Sequence, residues 1–424
     1  MFHQLQKLCK TKRKRKGNDL SDKKKVILVT ATPLNNRPQD IRNQLYLFQD
    51  SKQSTLEVGN LQHFFRPLID KYDKLKKERD HIKIGQGVKE IYEEIRNKVL
   101  EPIIVRRTRT DIKNTPSYLE DIKEQGVSFP EIIPPKQILY QLNEELNELY
   151  DQTIKTVKDS KNGLSYYRYQ AIKFMSDDAK KQYKKATGVD PNQANRISEQ
   201  LAVIMKVLLV KRIDSSFHAF KMSLKRFYDA NRAMLKMINN GKIYIAPKLG
   251  VSEFILNDNE EFSEEFKQGI RNDDLILKKL VKQWNSINSY DPKYNTFIEK
   301  LQTEFLNEDV NKTKKLVVFS ESKETTTYLM RRLKDDGFSR ILCVDSSNSK
   351  DLTDIIAENF DANYPITETK NDYDIVITTE VLAEGVNLHR SNTIVNYDIP
   401  WNATRLMQRI GRVNRVGTSA KFIH

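Results

Sequence analysis

Asp374-Ile-Val-Ile-Thr-Thr-Glu-Val-Leu-Ala-Glu-Gly-Val-Asn-Leu388 is followed by Gln408-Arg-Ile-Gly-Arg-Val-Asn-Arg415. The run Ile375–Ile377 reads as a short strand buried on both faces. It ends in the hydroxyls of Thr378 and Thr379 and a polar turn, where Gly385 lets the backbone bend tightly or approach a ligand. The second stretch sets Arg409, Arg412 and Arg415 at offsets of three. A guanidinium grips phosphate oxygens bidentately and keeps its charge at any ordinary pH. A site that binds a triphosphate requires such groups, and an arginine aimed at the transferring phosphoryl is worth ~10³–10⁵ in rate.

Working outward, four apolar runs appear: Leu316–Phe319, Ile341–Val344, Ile375–Ile377 and Thr393–Val395. Helical patterns separate them, as in Thr325, Leu329 and Leu333. Strands alternating with helices predict a parallel sheet covered by helices. Asp291-Pro-Lys-Tyr-Asn-Thr-Phe297 opens a helix before the first strand. Ser320 follows that strand directly, as either a helix cap or a phosphate contact.

The two opening stretches resemble motifs V and VI of superfamily-two helicases, and the Gly-Val-Asn-Leu ending is similar to the Swi/Snf-type branch. Upstream, Thr30-Ala-Thr-Pro-Leu-Asn-Asn36 follows the apolar Val26–Val29, read as a buried strand, and resembles motif III. Pro102-Ile-Ile-Val-Arg-Arg-Thr108, then Phe129-Pro130 and Ile133-Pro-Pro-Lys136, resembles the box that closes the first motor lobe in that branch. The resemblance implies an α/β fold: a RecA-like parallel-sheet lobe, a helical insertion and the tail of a first RecA-like lobe. It implies arginine-finger roles for Arg412 and Arg415. Gln408 and Arg409 would orient that element at the nucleotide, with Gly385 and Asn387 on the nucleotide side. Ser320, Thr378, Thr379, Thr30 and Thr32 would contact the nucleic-acid backbone. The cofactors implied are ATP and Mg2+. The partner implied is nucleic acid, double-stranded DNA through its phosphates. Trp401, in Asp398-Ile-Pro-Trp-Asn402, is read as mainly packing.

The bulk composition agrees with a polyanionic partner. Lysine plus arginine is 72 against 57 acidic residues in 424, a net charge of +15. Two distant cysteines, Cys9 and Cys343, and six scattered histidines argue against a disulfide framework or a metal cluster. No apolar stretch is long enough to span a membrane, and a cytoplasmic location is expected. The basic run Lys10–Lys16 reads as a solvated loop.

Between 137 and 285 the pattern is helical. Leu142, Leu146 and Leu149, and again Val203, Val207 and Val210, recur at core-facing helical spacing. Leu208–Phe220 reads as an amphipathic helix, and the acidic Asn257–Glu265 as a solvated loop. The expected domains are therefore 1–136, the tail of the first lobe; 137–289, the helical insertion; and 290–424, the second lobe. The sequence contains no G-x-x-x-x-G-K-[S/T] loop: Gly241-Lys242 is followed by Ile243, and Gly85-Gln-Gly87 has the wrong ending. An Asp-Glu-x-His box is also absent. The chain is therefore expected to be the arginine-bearing part of a longer motor, with the remaining parts in the same polypeptide. The alternative is a non-catalytic nucleic-acid-binding or regulatory scaffold.

Overall fold

The computed structural model describes residues 2–11, 25–29, 37–76, 78, 80–105, 108–127, 129–159, 162–188, 190–239, 243–245, 254–256, 262–287 and 290–424. Thr30, Thr32, the Arg106-Arg107 pair and most of the basic run lie outside these residues. The chain divides into two compact units, Met1–Glu120 and Asp121–His424.

The first unit is helical. Helices α1 (Pro38–Leu45), α2 (Leu61–Leu75) and α3 (His81–Ile95) enclose Ile41, Leu45, Leu61, Phe65, Ile91 and Ile95. Asn60 and Asp80 cap the second and third by accepting from backbone N–H groups of the first turn. Val26–Val29, expected as a buried strand, is irregular, and Ile27 and Val29 are 85% and 95% exposed. A buried parallel strand needs hydrogen-bonded neighbours, and no strand is described in this unit.

The second unit opens with helices α4 (Glu144–Lys158), α5 (Pro191–Ser215), α6 (Phe217–Asn239) and α7 (Glu264–Ser286). Their core holds Leu146, Leu209, Ile213, Phe220, Leu277 and Trp284, and the Trp284 indole donates to buried Thr153 at 2.9 Å. Buried Asp273 accepts from the backbone of Ser165 and Tyr167, tying the intervening loop to α7. Leu208–Phe220 is two helices broken at Ser216, whose backbone is extended. Of the Val203–Val207–Val210 set only Val210 packs against the core: Val203 and Val207 are exposed, and Ala202, Leu209 and Ile213 are buried. Within the acidic stretch, Ser263 caps α7, with Glu264 and Glu265 in its first turn. Asn257–Glu261 lies outside the described residues.

The sheet follows the expected alternation. Helix α8 (Pro292–Lys300) is capped by Asp291. It leads to β1 (Leu316–Phe319), α9 (Lys323–Asp335), β2 (Ile341–Val344), α10 (Thr353–Phe360), β3 (Ile375–Thr378), β4 (Thr393–Asn396) and α11 (Ala403–Val413). All pairings are parallel in the order β2-β3-β1-β4, with Leu316 opposite Ile375 and Thr393. Alternate residues serve two cores. Leu316, Val318, Ile375 and Ile377 meet α8 and α9, while Val317, Phe319, Val376 and Val344 meet α10 and Val413 of α11. Covering on both faces explains the uninterrupted apolar runs. This is an α/β, RecA-like lobe. Beyond β4, Phe422–Ile423 pairs parallel with Glu131–Ile132, so the segment read as closing the first lobe packs in the second unit. Lys136 adds an ion pair to Glu304 at 2.6 Å.

A buried polar hub joins the helical layer to the sheet. The Asp398 carboxylate accepts from Ser215 Oγ, from Ser320 Oγ at 2.6 Å and from the Glu321 backbone at 2.7 Å. Ser215 and Ser216 also meet Thr325 Oγ1 at 2.8 and 2.9 Å. Beneath them Lys293 Nζ donates to the last carbonyls of α5, Asp214 and Ser215, at 2.6 and 2.9 Å. Burial lowers the Lys293 pKa to about 8. Removing the shared acceptor takes a partner from three donors, two of which, the Ser215 and Ser320 hydroxyls, are buried. Asp398→Ala is therefore expected to cost about 2–4 kcal/mol of stability, measured by urea denaturation. A loss below about 0.5 kcal/mol, the range of neutral surface changes, would refute this account of the hub.

Candidate functional site

In open α/β sheets ligands gather at the carboxyl ends of the strands. Here β3 ends at Thr378, and Thr379 Oγ1 accepts from Val381 N at 3.5 Å to cap a short 3₁₀ turn. The chain then turns through Gly385 at φ +81°, a left-handed conformation that favours glycine. It returns along the last turn of α11, where Leu388 N donates to Arg412 O at 2.9 Å. Helix α11 starts at Asn402, whose side chain accepts from Thr404 N.

Arg409 anchors α11. Its side chain has no exposed surface. Nε donates to Glu380 Oε1 at 2.9 Å, and Nη2 reaches the same oxygen. Nη1 donates to Asn396 Oδ1 at 2.8 Å and to Asp398 O at 3.1 Å, and the guanidinium lies over the Phe319 ring at 5.3 Å. With its donors turned inward, Arg409 positions the helix and cannot touch a cofactor directly. Gln408 faces outward and donates to Glu384 at 3.0 Å.

One and two turns further, Arg412 and Arg415 differ. Arg412 donates only to carbonyls, Val386 O at 3.3 Å and Gln408 O at 3.4 Å. Neither makes an ion pair within the described residues. Arg415 Nε is buried and has no hydrogen-bond partner. Burial, and then the neighbouring charge of Arg415, lowers the Arg412 pKa below its ordinary value. Two adjacent guanidiniums without an ion pair, one with an orphaned buried N–H, fit an anion with several oxygens, although the charge of Glu384 also acts on Arg412. A terminal phosphate meets that description.

Beside them, Asp361 organises the turn. Its Oδ2 accepts from Asn387 Nδ2 at 2.9 Å, and its Oδ1 lies 3.6 Å from His389 Nδ1. His389 is fully buried, with neither ring nitrogen hydrogen-bonded. Burial lowers its pKa and Arg415 adds to this, while Asp361 opposes both. Among the described residues no cluster of three or more acidic, His or Cys groups is arranged to hold a metal. No described helix is long and apolar enough to cross a membrane.

The hydroxyls expected on a nucleic-acid backbone separate. Ser320 is fully buried in the Asp398 hub and accepts from Ser322 N, so it does not face a ligand. Ser322 is the residue that caps α9. Thr378 is likewise buried, donating to Thr379 O at 3.1 Å. Of these three strand-end hydroxyls, Thr379 alone retains exposed surface. Trp401, expected to pack, is exposed with Lys211 Nζ 4.6 Å from its ring centroid. The residues that sequence reasoning missed, half-buried Glu380 and Asp361 and buried Asp398 and His389, surround the ones it found. Only their nearness to the motifs marked them.

Comparison with known proteins gives a consistent picture. Residues 296–417 match the helicase conserved C-terminal domain family. An uncharacterized ATP-dependent helicase, YqhH of Bacillus subtilis, is 33% identical over 103 residues, covering 24% of this chain and 17% of that protein. The ATP-dependent RNA helicase dbp5 of Schizosaccharomyces pombe is 23% identical over 179 residues, 39% of this chain and 32% of that protein. The helicase domain of Pyrococcus furiosus Hef aligns over 80% of this chain and 60% of its own, at 16% identity and a TM-score of 0.37. The matched stretches thus span at most a third of the two curated relatives. The family and sequence matches support a helicase C-terminal domain within residues 296–417.

Two stability predictions follow from the buried groups. Arg409→Ala leaves Glu380 and Asn396 without their donor and is expected to cost on the order of 3 kcal/mol; chemical denaturation checks it, and a near-neutral variant contradicts the anchoring role. His389 has a folded pKa below its unfolded value of about 6.5. The unfolded chain therefore binds more protons as pH falls through that value. The stability contributed by neutral His389 is full above about pH 6.5 and declines below it. Melting curves between about pH 7.5 and 5.5 are expected to fall more steeply for the wild type than for His389→Gln. Parallel curves would refute the assignment.

Proposed function

We propose that this chain supplies the arginine-finger half of an ATP site, and part of a DNA-backbone track, in an ATP-dependent translocase or helicase of the Swi/Snf type. The observation that carries this reading is the pair Arg412 and Arg415. They are adjacent, without ion pairs, and held at the carboxyl edge of a parallel sheet by buried Arg409. The matched helicase domain and the ATP-dependent relatives support it. On this reading, residues 290–424 form the second lobe, 137–289 a helical insertion, and the residues before 121 belong with the first lobe, while Glu131–Lys136 packs on the second.

Each residue then has a task. Arg412 and Arg415 point their donors at the terminal phosphate and stabilise the charge that develops on its oxygens. Arg409 positions them. Gln408, tethered to Glu384, and the Gly385–Asn387 turn, tethered to Asp361, shape the nucleotide side of the cleft. Thr379 is the strand-end hydroxyl that reaches the DNA backbone, with Thr30 and Thr32 assigned to the same track. Bound ATP with magnesium supplies the phosphoryl group and its charge neutralisation. No residue of this chain is assigned to the metal. Contacts to phosphate rather than base edges make binding sequence-independent.

The test uses the full-length protein. Arg412→Ala is expected to lower DNA-stimulated ATP hydrolysis by about 10³-fold while DNA affinity changes less than about twofold. Turnover retained within a factor of a few would sink the finger assignment and favour a non-catalytic scaffold. Affinity for duplex DNA should fall steeply and linearly on a log–log plot against salt. A flat response, or preferential binding of RNA over duplex DNA, would overturn the proposed DNA track.

A further inference from the structure

Between Leu201 and Ile213 helix α5 is apolar on two sides, interrupted by Lys206, Lys211 and Arg212, yet it packs on only one. Ala202, Leu209 and Ile213 are buried against α4, α6 and α7. Val203, Ile204, Val207 and Leu208 lie on the outer side and are 61%, 48%, 37% and 38% exposed. Their spacing of one, four and five residues forms a single stripe about one and a half turns long. An apolar helix side is ordinarily covered, and a contiguous exposed aliphatic patch marks an interaction site.

At Leu208 the stripe runs into a groove of about 310 Å³ between α5, α6 and the 3₁₀ segment Tyr167–Phe174. Leu209, Phe227 and Tyr169 supply its apolar lining, and Arg168, Arg212 and Arg226 its charge. No carboxylate lines it. Arg212 and Arg226 both pair with Glu324 behind the groove, so one acid serves two arginines. Arg168 donates only to the Tyr169 hydroxyl, at 3.2 Å, and lies over that ring. Along the outer side, Lys211 adds a cation shared with Glu321.

We propose that this surface docks an amphipathic helix of a partner protein, one with an aliphatic face and an acidic flank. The aliphatic stripe takes the apolar face, and the guanidiniums at the groove take the carboxylates. Branched aliphatic side chains neither stack on bases nor pair with phosphates, which nucleic-acid surfaces require. A polypeptide is therefore the better fit to the stripe, although the groove is basic. The inference does not depend on the ATP-site reading, because none of its residues lies in that site.

The test is fluorescence anisotropy with this chain and three probes: a Leu/Glu amphipathic helical peptide, its Leu/Lys counterpart and a single-stranded oligonucleotide. The Leu/Glu peptide is expected to bind at least about tenfold tighter than the Leu/Lys peptide. The double substitution Ile204→Ser with Val207→Ser should weaken it at least about fivefold. Arg168→Glu should shift the preference toward the Leu/Lys peptide. These positions are solvent-facing or rim-lying, and circular dichroism verifies that the variants keep their fold. Equal or absent binding of the two peptides would overturn the proposal. Displacement of the peptide by the oligonucleotide would reassign the surface to nucleic acid. Concentration-dependent dimerisation lost in the double variant would reassign it to a second copy of this chain.

Discussion

The arrangement of the candidate site depends on one buried guanidinium. Desolvating a positive charge is expensive unless it is paired and fully hydrogen-bonded. Arg409 meets that condition only where Glu380, Asn396 and the Asp398 carbonyl converge. Those groups come from the turn after β3, the end of β4 and the loop beyond it. Satisfying Arg409 therefore fixes three segments and the register of α11 at once. A neutral residue there would leave α11 free to shift along the sheet edge. Its two later arginines lie at offsets of three and six, so their placement is inherited from the anchor.

The contrast among the three arginines carries the functional reading. Equal residues at equal spacing have unequal environments. Arg409 is enclosed and paired, Arg412 meets only carbonyls, and Arg415 keeps an unpartnered buried N–H. A purely structural helix end gains nothing by holding two like charges together without an ion pair. The same lobe contains acids that pair with other arginines, such as Asp374 with Arg340 at 2.7 Å. The uncompensated pair is therefore a local feature and not a shortage of carboxylates.

Much of the lobe was legible from the sequence because buried parallel strands announce themselves as uninterrupted apolar runs. Leu316–Phe319 and Ile341–Val344 coincide with β1 and β2, and the other two runs differ from β3 and β4 by one residue at the end. The misreadings share a cause: a residue's neighbours in space were not its neighbours in the chain. Ser320 and Thr378 sit at strand ends where ligands gather, yet Ser320 is enclosed by Ser215 and Asp398 from far along the chain. Val203 and Val207 have core spacing, but α5 is apolar on two sides and periodicity cannot say which side is covered. Val26–Val29 has a strand's composition without neighbouring strands among the described residues of its unit. Trp401, read as mainly packing, is exposed in the loop after Pro400.

Asp398 gives the helical layer a defined place in this scheme. Its carboxylate receives Ser215 from the end of α5, while its own carbonyl receives Arg409 from α11. One residue thus serves the interlayer hub through its side chain and the arginine anchor through its backbone. The position of α5 is set by side-chain hydrogen bonds, and the position of α11 by a charge-assisted one. Both converge on the same short turn, Tyr397–Asp398. Hydrogen bonds of this kind weaken steeply with misalignment, so the turn has little freedom while both are made. The layer is better understood as a brace for the arginine helix than as a switch, because a switch requires a second arrangement of comparable energy. The hydrogen bonds of Asp398 at this junction are already made in the arrangement observed.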